Sequence, residues 1–170
     1  NTNITFGVYE GKKLVTTFRM MSKMLHTSDE YGMNIRQLLM FDGISKDQIE
    51  GTIVASVVPN IMHSLVGGIT RYLGTPPLIV GAGTKTGIRI ITENPKEIGP
   101  DRIVDAAAAY EKYGGPPVVL GFGTGTTPDY LTRGGRLVAG SNGPGGWMFV
   151  PEPMGGCLTH SLVGNYKDEQ

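Results

Sequence analysis

Two short segments rich in glycine, threonine and asparagine have the side chains and the backbone freedom that phosphate binding requires. Asn1, Thr2 and Asn3 enter a predicted strand, and Gly123 and Thr124 begin a Gly-Thr-Gly-Thr-Thr segment that leaves another. Glycine lets backbone N–H groups approach phosphate oxygens closely, and a threonine hydroxyl adds a short donor. Neither segment has the Lys-Ser/Thr pair that opens the helix of a P-loop. A plain turn between strands is the alternative for either segment alone.

A third candidate segment, formed by Gly99, Pro100, Asp101 and Arg102, stands at the start of a predicted helix. An acceptor hydroxyl could give its proton to Asp101, and the guanidinium of Arg102 suits bidentate binding of an anionic group. The helix dipole alone also favours an acidic residue in the first turn. A simple capping or surface role is therefore the alternative for Asp101.

The elements that must position these residues follow from hydrophobic spacing and from helix-capping residues. Strands are predicted at 4–10, 14–20, 53–58, 78–80 and 117–122, and a hairpin joins 129–132 to 137–139. Helices are predicted from a capping box at 27–30 to near 43, from 59 to about 73, and from 98 to 113. Strands that alternate with helices indicate an α/β fold. We expect a boundary between two lobes near residues 114–117.

Charge and cysteine content exclude several classes of function. Fifteen Lys and Arg residues balance fifteen Asp and Glu residues, so no net field favours nucleic acid or an anionic membrane. No apolar run approaches the roughly 20 residues of a membrane-spanning helix. Cys157 is the single cysteine, which excludes an internal disulfide and a cysteine-based zinc site within the chain. We therefore expect a cytoplasmic protein that binds neither nucleic acid nor membrane.

The order of the motifs is more specific than any one of them. Residues 1–3, 27–32, 56–60, 85–87, 93–95, 99–103 and 123–127, with Gly140 and Pro144-Gly145, occur in sequence. In this order they resemble the consecutive signatures of the type III pantothenate kinase family, from residue 1 to about residue 145.

This resemblance implies an actin-like ATPase, or ribonuclease H-like, fold with two related lobes. Residues 1–115 would form the first lobe with the acceptor segment, and residues 116–170 an incomplete second lobe with a nucleotide phosphate loop. Members of the family transfer the ATP γ-phosphoryl group to pantothenate, giving 4'-phosphopantothenate in the first step of coenzyme A synthesis. They use Mg²⁺ and a monovalent cation, K⁺ or NH4⁺, and typically act as homodimers.

The resemblance also implies roles for particular residues. Asp101 takes the place of the general base, and the segment Gly99–Arg102 that of the pantothenate contacts. Asn1, Thr2 and Asn3, together with Gly123 and Thr124, take the places of the ATP contacts.

The sequence departs from the family pattern at its start and after residue 120. The Asp-x-Gly of the first phosphate motif would precede Asn1, and Gly121 occupies the place of an Asp associated with the monovalent cation. The metal ligands are therefore unassigned, and the expected helix-rich half after Gly146 is not recognisable. Because the departures are clustered, we expect a fragmentary chain of a true kinase that begins inside an element.

Two alternatives stay open at the level of sequence. A Bvg accessory factor-like regulatory homologue could bind ligand without turnover, as the missing acidic residues suggest. A related kinase could act on another hydroxyl acceptor, because Thr92 and Pro100 also differ from the usual pattern.

Overall fold

The computed structural model describes residues 3–92, 95–122, 125–139, 143–144 and 164–165. These residues contain three α-helices, two short 3-10 helices (Lys46–Gln48 and Pro95–Glu97) and ten strands. They confirm a mixed α/β architecture. The chain divides into two compact units, residues 1–79 and residues 80–170. Each unit has its own cluster of buried apolar side chains.

The first unit opens with an antiparallel hairpin of strands β1 (Asn3–Glu10) and β2 (Lys13–Met21). Phe6 and Phe18 lie directly opposite each other in the register, and their rings stack with centroids 4.8 Å apart. Alternate residues of the hairpin pack against the buried cluster of this unit, as the period of two in a strand requires. Both predicted strands are thus confirmed.

Helix α1 (Ser28–Phe41) begins at the predicted capping box. The backbone N–H of Thr27 donates to Glu30 Oε2 at 2.7 Å, and the N–H of Glu30 donates to Thr27 Oγ1 at 3.3 Å. This reciprocal pair satisfies two donors that a helix start leaves without intrahelical partners. The helix then buries Tyr31, Ile35 and Leu39 on one face.

Helix α2 (Pro59–Leu73) packs on α1 through glycines. A Cβ built on Gly68 would lie 2.5 Å from the Ser28 carbonyl oxygen and 2.9 Å from the Gly32 nitrogen. The two backbones therefore approach more closely than any side chain at Gly68 would permit. On the same face, Ile61, Leu65 and Ile69 are buried, and the helix ends at Gly74 in the left-handed conformation, φ 90°.

Strands β3 (Ile53–Val54) and β4 (Leu78–Ile79) form a parallel pair. Strand β3 precedes α2 in the chain, and β4 follows it. The predicted strand at 53–58 is thus four residues too long. The backbone N–H of Val58 donates to Ser56 Oγ at 3.0 Å, so a local turn leads into Pro59 instead of continued pairing.

The second unit contains helix α3 (Pro100–Tyr113) and a six-stranded sheet. Its strands are β5 (Arg89–Ile90), β6 (Pro117–Phe122), β7 (Gly125–Leu131), β8 (Arg136–Ala139), β9 (Gly143–Pro144) and β10 (Gly164–Asn165). The order is β10-β6-β7-β8-β5, and β9 pairs with β7. Only β5 and β8 pair in parallel.

Strand β7 is the centre of this sheet, because it pairs antiparallel with β6 on one side and β8 on the other. The predicted hairpin between β7 and β8 is confirmed, with Leu131 opposite Leu137 and with Gly135 at φ 67° in the turn. Helix α3 packs Ile103, Ala106 and Ala109 into the same buried cluster as these leucines.

The compact units differ from the lobes expected from the sequence. The break falls between Ile79 and Val80, whereas the sequence predicts a boundary near residues 114–117. Helix α3 belongs with the sheet after it because its apolar face is buried together with side chains of β6, β7 and β8. Whether the family's two lobes divide at 115 stays a prediction.

Among the helices of the described ranges, none is both long enough and apolar enough to cross a lipid bilayer.

The glycine contact between α1 and α2 predicts the effect of Gly68→Ala. In most helix interiors this change is stabilising by about 1 kcal/mol. Here the added methyl group would meet backbone atoms of α1, and we expect a loss of about 1–3 kcal/mol in the free energy of unfolding. Urea unfolding followed by circular dichroism measures the change.

The matched control is Gly51→Ala, because a Cβ at Gly51 meets no heavy atom within 4 Å. Its free energy of unfolding should stay within about 0.5 kcal/mol of the unmodified chain. A Gly68→Ala variant as stable as this control would contradict the close packing of the two helices.

Candidate active site

The first turn of helix α3 carries the residues predicted to bind the acceptor. Gly99 is the N-cap in an extended conformation, φ −60° and ψ 143°, and its carbonyl accepts from the N–H of Ile103 at 3.3 Å. Pro100 occupies the first helical position, where its missing N–H costs nothing and its φ is already helical. Asp101 and Arg102 therefore follow in the first turn, and the helix begins two residues after the predicted start at 98.

Arg102 forms a buried ion pair with Asp129, which lies in the middle of β7. Its Nε donates to Asp129 Oδ2 at 3.0 Å and Oδ1 at 3.2 Å, and its Nη2 donates to Oδ1 at 2.5 Å. The side chains are 13% and 3% exposed, respectively. This two-nitrogen contact is the planar fork geometry that guanidinium makes with carboxylate.

Asp101 is exposed, and its Oδ1 accepts from the backbone N–H of Arg102 at 2.9 Å. The contact holds the carboxylate at the N-terminal end of α3, where the helix dipole favours negative charge. The same contact is also what a capping acid would make. The structure thus places Asp101 beside Arg102, and its role as general base stays a prediction.

Three carboxylates and one guanidinium share this end of the unit. Desolvation raises the pKa of Asp129, and the hydrogen bonds from Arg102 oppose that rise. Desolvation by the surrounding protein, followed by repulsion from Asp101 and Asp129, raises the pKa of Asp105. Asp105 keeps access to solvent on α3. Burial and the neighbouring carboxylates thus both disfavour ionisation of Asp105.

The residues predicted to contact ATP lie mostly outside the described ranges. Asn1, Thr2, Gly123 and Thr124 are outside them, and Asn3 is the exposed first residue of β1. Strand β6 ends at Phe122 and β7 begins at Gly125, so the Gly-Thr segment connects two antiparallel neighbours. The roles of these residues stay predictions.

Gly121 stands in β6 opposite Thr127 of β7. A Cβ at Gly121 would lie only 2.6 Å from Thr127 Oγ1, so the threonine hydroxyl fills the space of a larger side chain. This position offers a hydroxyl and no carboxylate, which does not fit a cation site built on an acidic residue. Within the described ranges, no group of three or more His, Cys, Asp and Glu residues could hold a metal ion.

Asp129 and Asp105 were not among the candidates from sequence. Asp129 follows Thr-Thr-Pro in a strand in which Pro128 and Leu131 are buried, and aspartate is rarely buried unless it is paired. That rule could have marked Asp129 as a paired residue. It could not have named Arg102 as the partner, 27 positions away.

The helices, the hairpin and the six-stranded sheet define a protein of the mixed α/β class. Residues 1–151 match the family model described as type III pantothenate kinase. The chain belongs to the type III pantothenate kinase family.

Relatives from three bacteria carry that name. The chain is 53% identical over 145 residues to one from Agathobacter rectalis, which covers 85% of the chain and 56% of the relative. A Moorella thermoacetica relative is 45% identical over 145 residues, covering 85% and 57%. A Bifidobacterium animalis subsp. lactis relative is 43% identical over 140 residues, covering 82% and 56%. The chain thus spans a little over half the length of these relatives.

The raised pKa of Asp105 predicts how Asp105→Asn changes stability with pH. A pKa raised on folding means that the folded protein binds the proton more tightly than the unfolded chain. The corresponding stability is present below the unfolded pKa, about 3.9 for aspartate, and is lost as pH rises through the folded pKa. Asparagine does not ionise. The difference in unfolding free energy, variant minus unmodified chain, should therefore rise from about pH 3.5 to neutral pH.

Urea unfolding at a series of pH values measures this difference. Asp47→Asn is the control, because its difference should change with pH in the opposite direction. The hydrogen bond and charge of Lys46 lower the pKa of Asp47, so its stabilising contribution is lost as pH falls. The control difference should therefore decrease toward neutral pH. If the difference in unfolding free energy for Asp105→Asn is constant or falls as pH rises, the pKa of Asp105 is not raised by burial and by Asp101 and Asp129.

Proposed function

We propose that this chain acts in the transfer of the ATP γ-phosphoryl group to the hydroxyl of pantothenate, which gives 4'-phosphopantothenate in the first step of coenzyme A biosynthesis. The observation that carries the proposal is the 53% identity over 145 residues to a relative named type III pantothenate kinase. Such identity over 85% of the chain supports the same acceptor as well as the same fold.

The first turn of α3 supplies the acceptor chemistry in this proposal. Asp101 is exposed at the helix start, where it can accept the proton of an incoming hydroxyl. In this proposal, Gly99, Pro100 and Arg102 contact pantothenate, and the Arg102 guanidinium also keeps its ion pair with Asp129. Phosphoryl transfer requires little covalent catalysis by the protein. Positioning of the reacting groups and electrostatic stabilisation therefore supply most of the rate enhancement.

In this proposal, ATP binds to the two segments predicted to contact phosphate, residues 1–3 and residues 123–124. Asn1, Thr2 and Asn3, with Gly123 and Thr124, contact the phosphates of ATP through backbone N–H groups and hydroxyls. Mg²⁺ and a monovalent cation, K⁺ or NH4⁺, would supply positive charge to the phosphates. Because Gly121 and Thr127 provide no carboxylate, these residues do not fit the expected cation site.

The wider assignments follow from family membership alone. The proposed arrangement has a first lobe of residues 1–115 and a second lobe of residues 116–170 within an actin-like ATPase fold. The proposed setting is a homodimer in the cytoplasm.

One observation favours a second candidate, a non-catalytic homologue that binds ligand without turnover. The space at Gly121, where the family pattern has an acidic residue, is filled by the hydroxyl of Thr127. A kinase for another hydroxyl acceptor is the third candidate, and Thr92 and Pro100 are the residues on which it rests.

The decisive variant is Asp101→Asn, which keeps the size of the side chain but removes the base. General-base catalysis contributes about 10²–10⁴ in rate. We therefore expect at least about a 100-fold loss of pantothenate-dependent ADP formation in the presence of Mg²⁺ and K⁺. A coupled assay measures the rate, and Asp47→Asn, an exposed acid paired with Lys46, should keep the unmodified rate.

Because Asp101 is exposed, its variant should unfold at nearly the same urea concentration as the unmodified chain. Equal background in the unmodified chain and in Asp101→Asn would favour the non-catalytic homologue. Turnover with some other hydroxyl compound and none with pantothenate would favour the third candidate.

A further inference from the structure

The ion pair of Arg102 and Asp129 is costly to bury, so stability alone does not explain it. Removing a carboxylate and a guanidinium from water carries a desolvation penalty, which their attraction often offsets only in part. Desolvation raises the pKa of Asp129 in spite of the hydrogen bonds from Arg102, which shows the same imbalance. Apolar residues of similar volume would serve stability at least as well. The value of the pair therefore lies in the geometry that it imposes.

The backbone of Asp129 is held on both sides by strand pairing. It pairs with Val119 of β6 and with Ala139 of β8, so both edges of its strand are held. Leu131, two residues after Asp129 in the same strand, is fully buried. A carboxylate fixed at the centre of a sheet can act as an anchor for a longer side chain.

Arg102 is the partner whose position needs to be set. Its side chain has several freely rotating bonds and loses rotamer entropy when it is fixed. It sits in the first turn of α3, and its own backbone N–H donates to Asp101. Asp129 thus holds Arg102, whose backbone N–H is bonded to Asp101. Strand β7, which contains Asp129, directly follows Gly123 and Thr124 in the sequence.

We propose that Asp129 is a positioning residue: it orients the Arg102 guanidinium, and with it the first turn of α3, relative to the strand that leaves the phosphate-binding segment. This inference rests on the proposed function, because Arg102 is placed there as an acceptor contact. Asp129 itself touches neither the acceptor nor the phosphates in this account. Its effect reaches the reaction through Arg102.

Steady-state kinetics of the full chain test the inference with Asp129→Asn, Asp129→Glu and Asp29→Asn. Asparagine keeps the size of Asp129 but loses the charge, so the guanidinium loses its fixed orientation. We expect the KM for pantothenate to rise about 10- to 100-fold while the KM for ATP changes less than about 3-fold. Glutamate restores the charge one methylene away and should recover part of the pantothenate KM.

Asp29→Asn is the matched control, because Asp29 also pairs with an arginine, Arg71, at 2.7 Å but on the surface. Its KM for pantothenate should be unchanged. A general loss of folding would lower activity without this split between the two substrates. Equal KM values for pantothenate in Asp129→Asn and in the unmodified chain would overturn the inference.

A second measurement needs no Asp129 variant and no turnover. In the ¹H–¹⁵N spectrum of the unmodified chain, the Arg102 Nε–Hε signal is assigned by its loss in Arg102→Lys. If Asp129 sets the orientation in advance, this signal is present and slow to exchange with water before pantothenate is added. A signal that becomes slow to exchange only after pantothenate is added would overturn the inference.

The two measurements separate the inference from the proposed function. A chain that neither binds nor phosphorylates pantothenate would refute the proposed function, and the Nε–Hε signal would still decide whether Asp129 holds Arg102. A chain that phosphorylates pantothenate equally well with Asp129→Asn would leave the proposed function intact and refute the positioning role.

Discussion

The buried ion pair between Arg102 and Asp129 joins helix α3 to the middle strand of the second unit, and the candidate site depends on that connection. The donor nitrogens of Arg102 lie 2.5–3.2 Å from the carboxylate oxygens of Asp129. Removal of either side chain would leave the other as an unpaired buried charge. The resulting loss of stability is much larger than the net stabilisation that the intact pair provides. Ile103, which follows Arg102 in the helix, and Leu131, two residues after Asp129 in the strand, are fully buried in one apolar cluster. Packing and charge thus fix the same end of α3.

The first unit shows how family signature residues can have structural causes. The segment at 27–32 contains the capping box that starts α1, and it ends at Gly32. A Cβ at Gly32 would lie 2.1 Å from the ring of Tyr72, and Gly68 approaches the backbone at Ser28 and Gly32. Capping and close helix packing account for this segment without any ligand. The segment at 99–103 differs, because its acid is exposed beside a buried ion pair.

Elements with strong local signals could be predicted from the sequence, and elements set by distant contacts could not. The capping box, Pro100 after Gly99, and the paired strands of both hairpins are local features, and the structure confirms them. Strand β5 was not predicted, because two residues pair in parallel with a strand 47 positions later. The partner of Arg102 was missed for the same reason. The sequence identified Asp101 and Arg102 as a chemical pair, but only the fold shows that Asp129 completes the arrangement.

The central claim is that the acceptor binds at the first turn of α3, and amide hydrogen exchange of the full chain tests it most directly. The first N–H groups of a helix have no carbonyl partner in a preceding turn, so a ligand that contacts those of Asp101 and Arg102 slows their exchange. With saturating pantothenate, the account predicts slower exchange of the Asp101 and Arg102 N–H groups than in the free chain. Unchanged exchange at these residues, with slowing only elsewhere or nowhere, would contradict it.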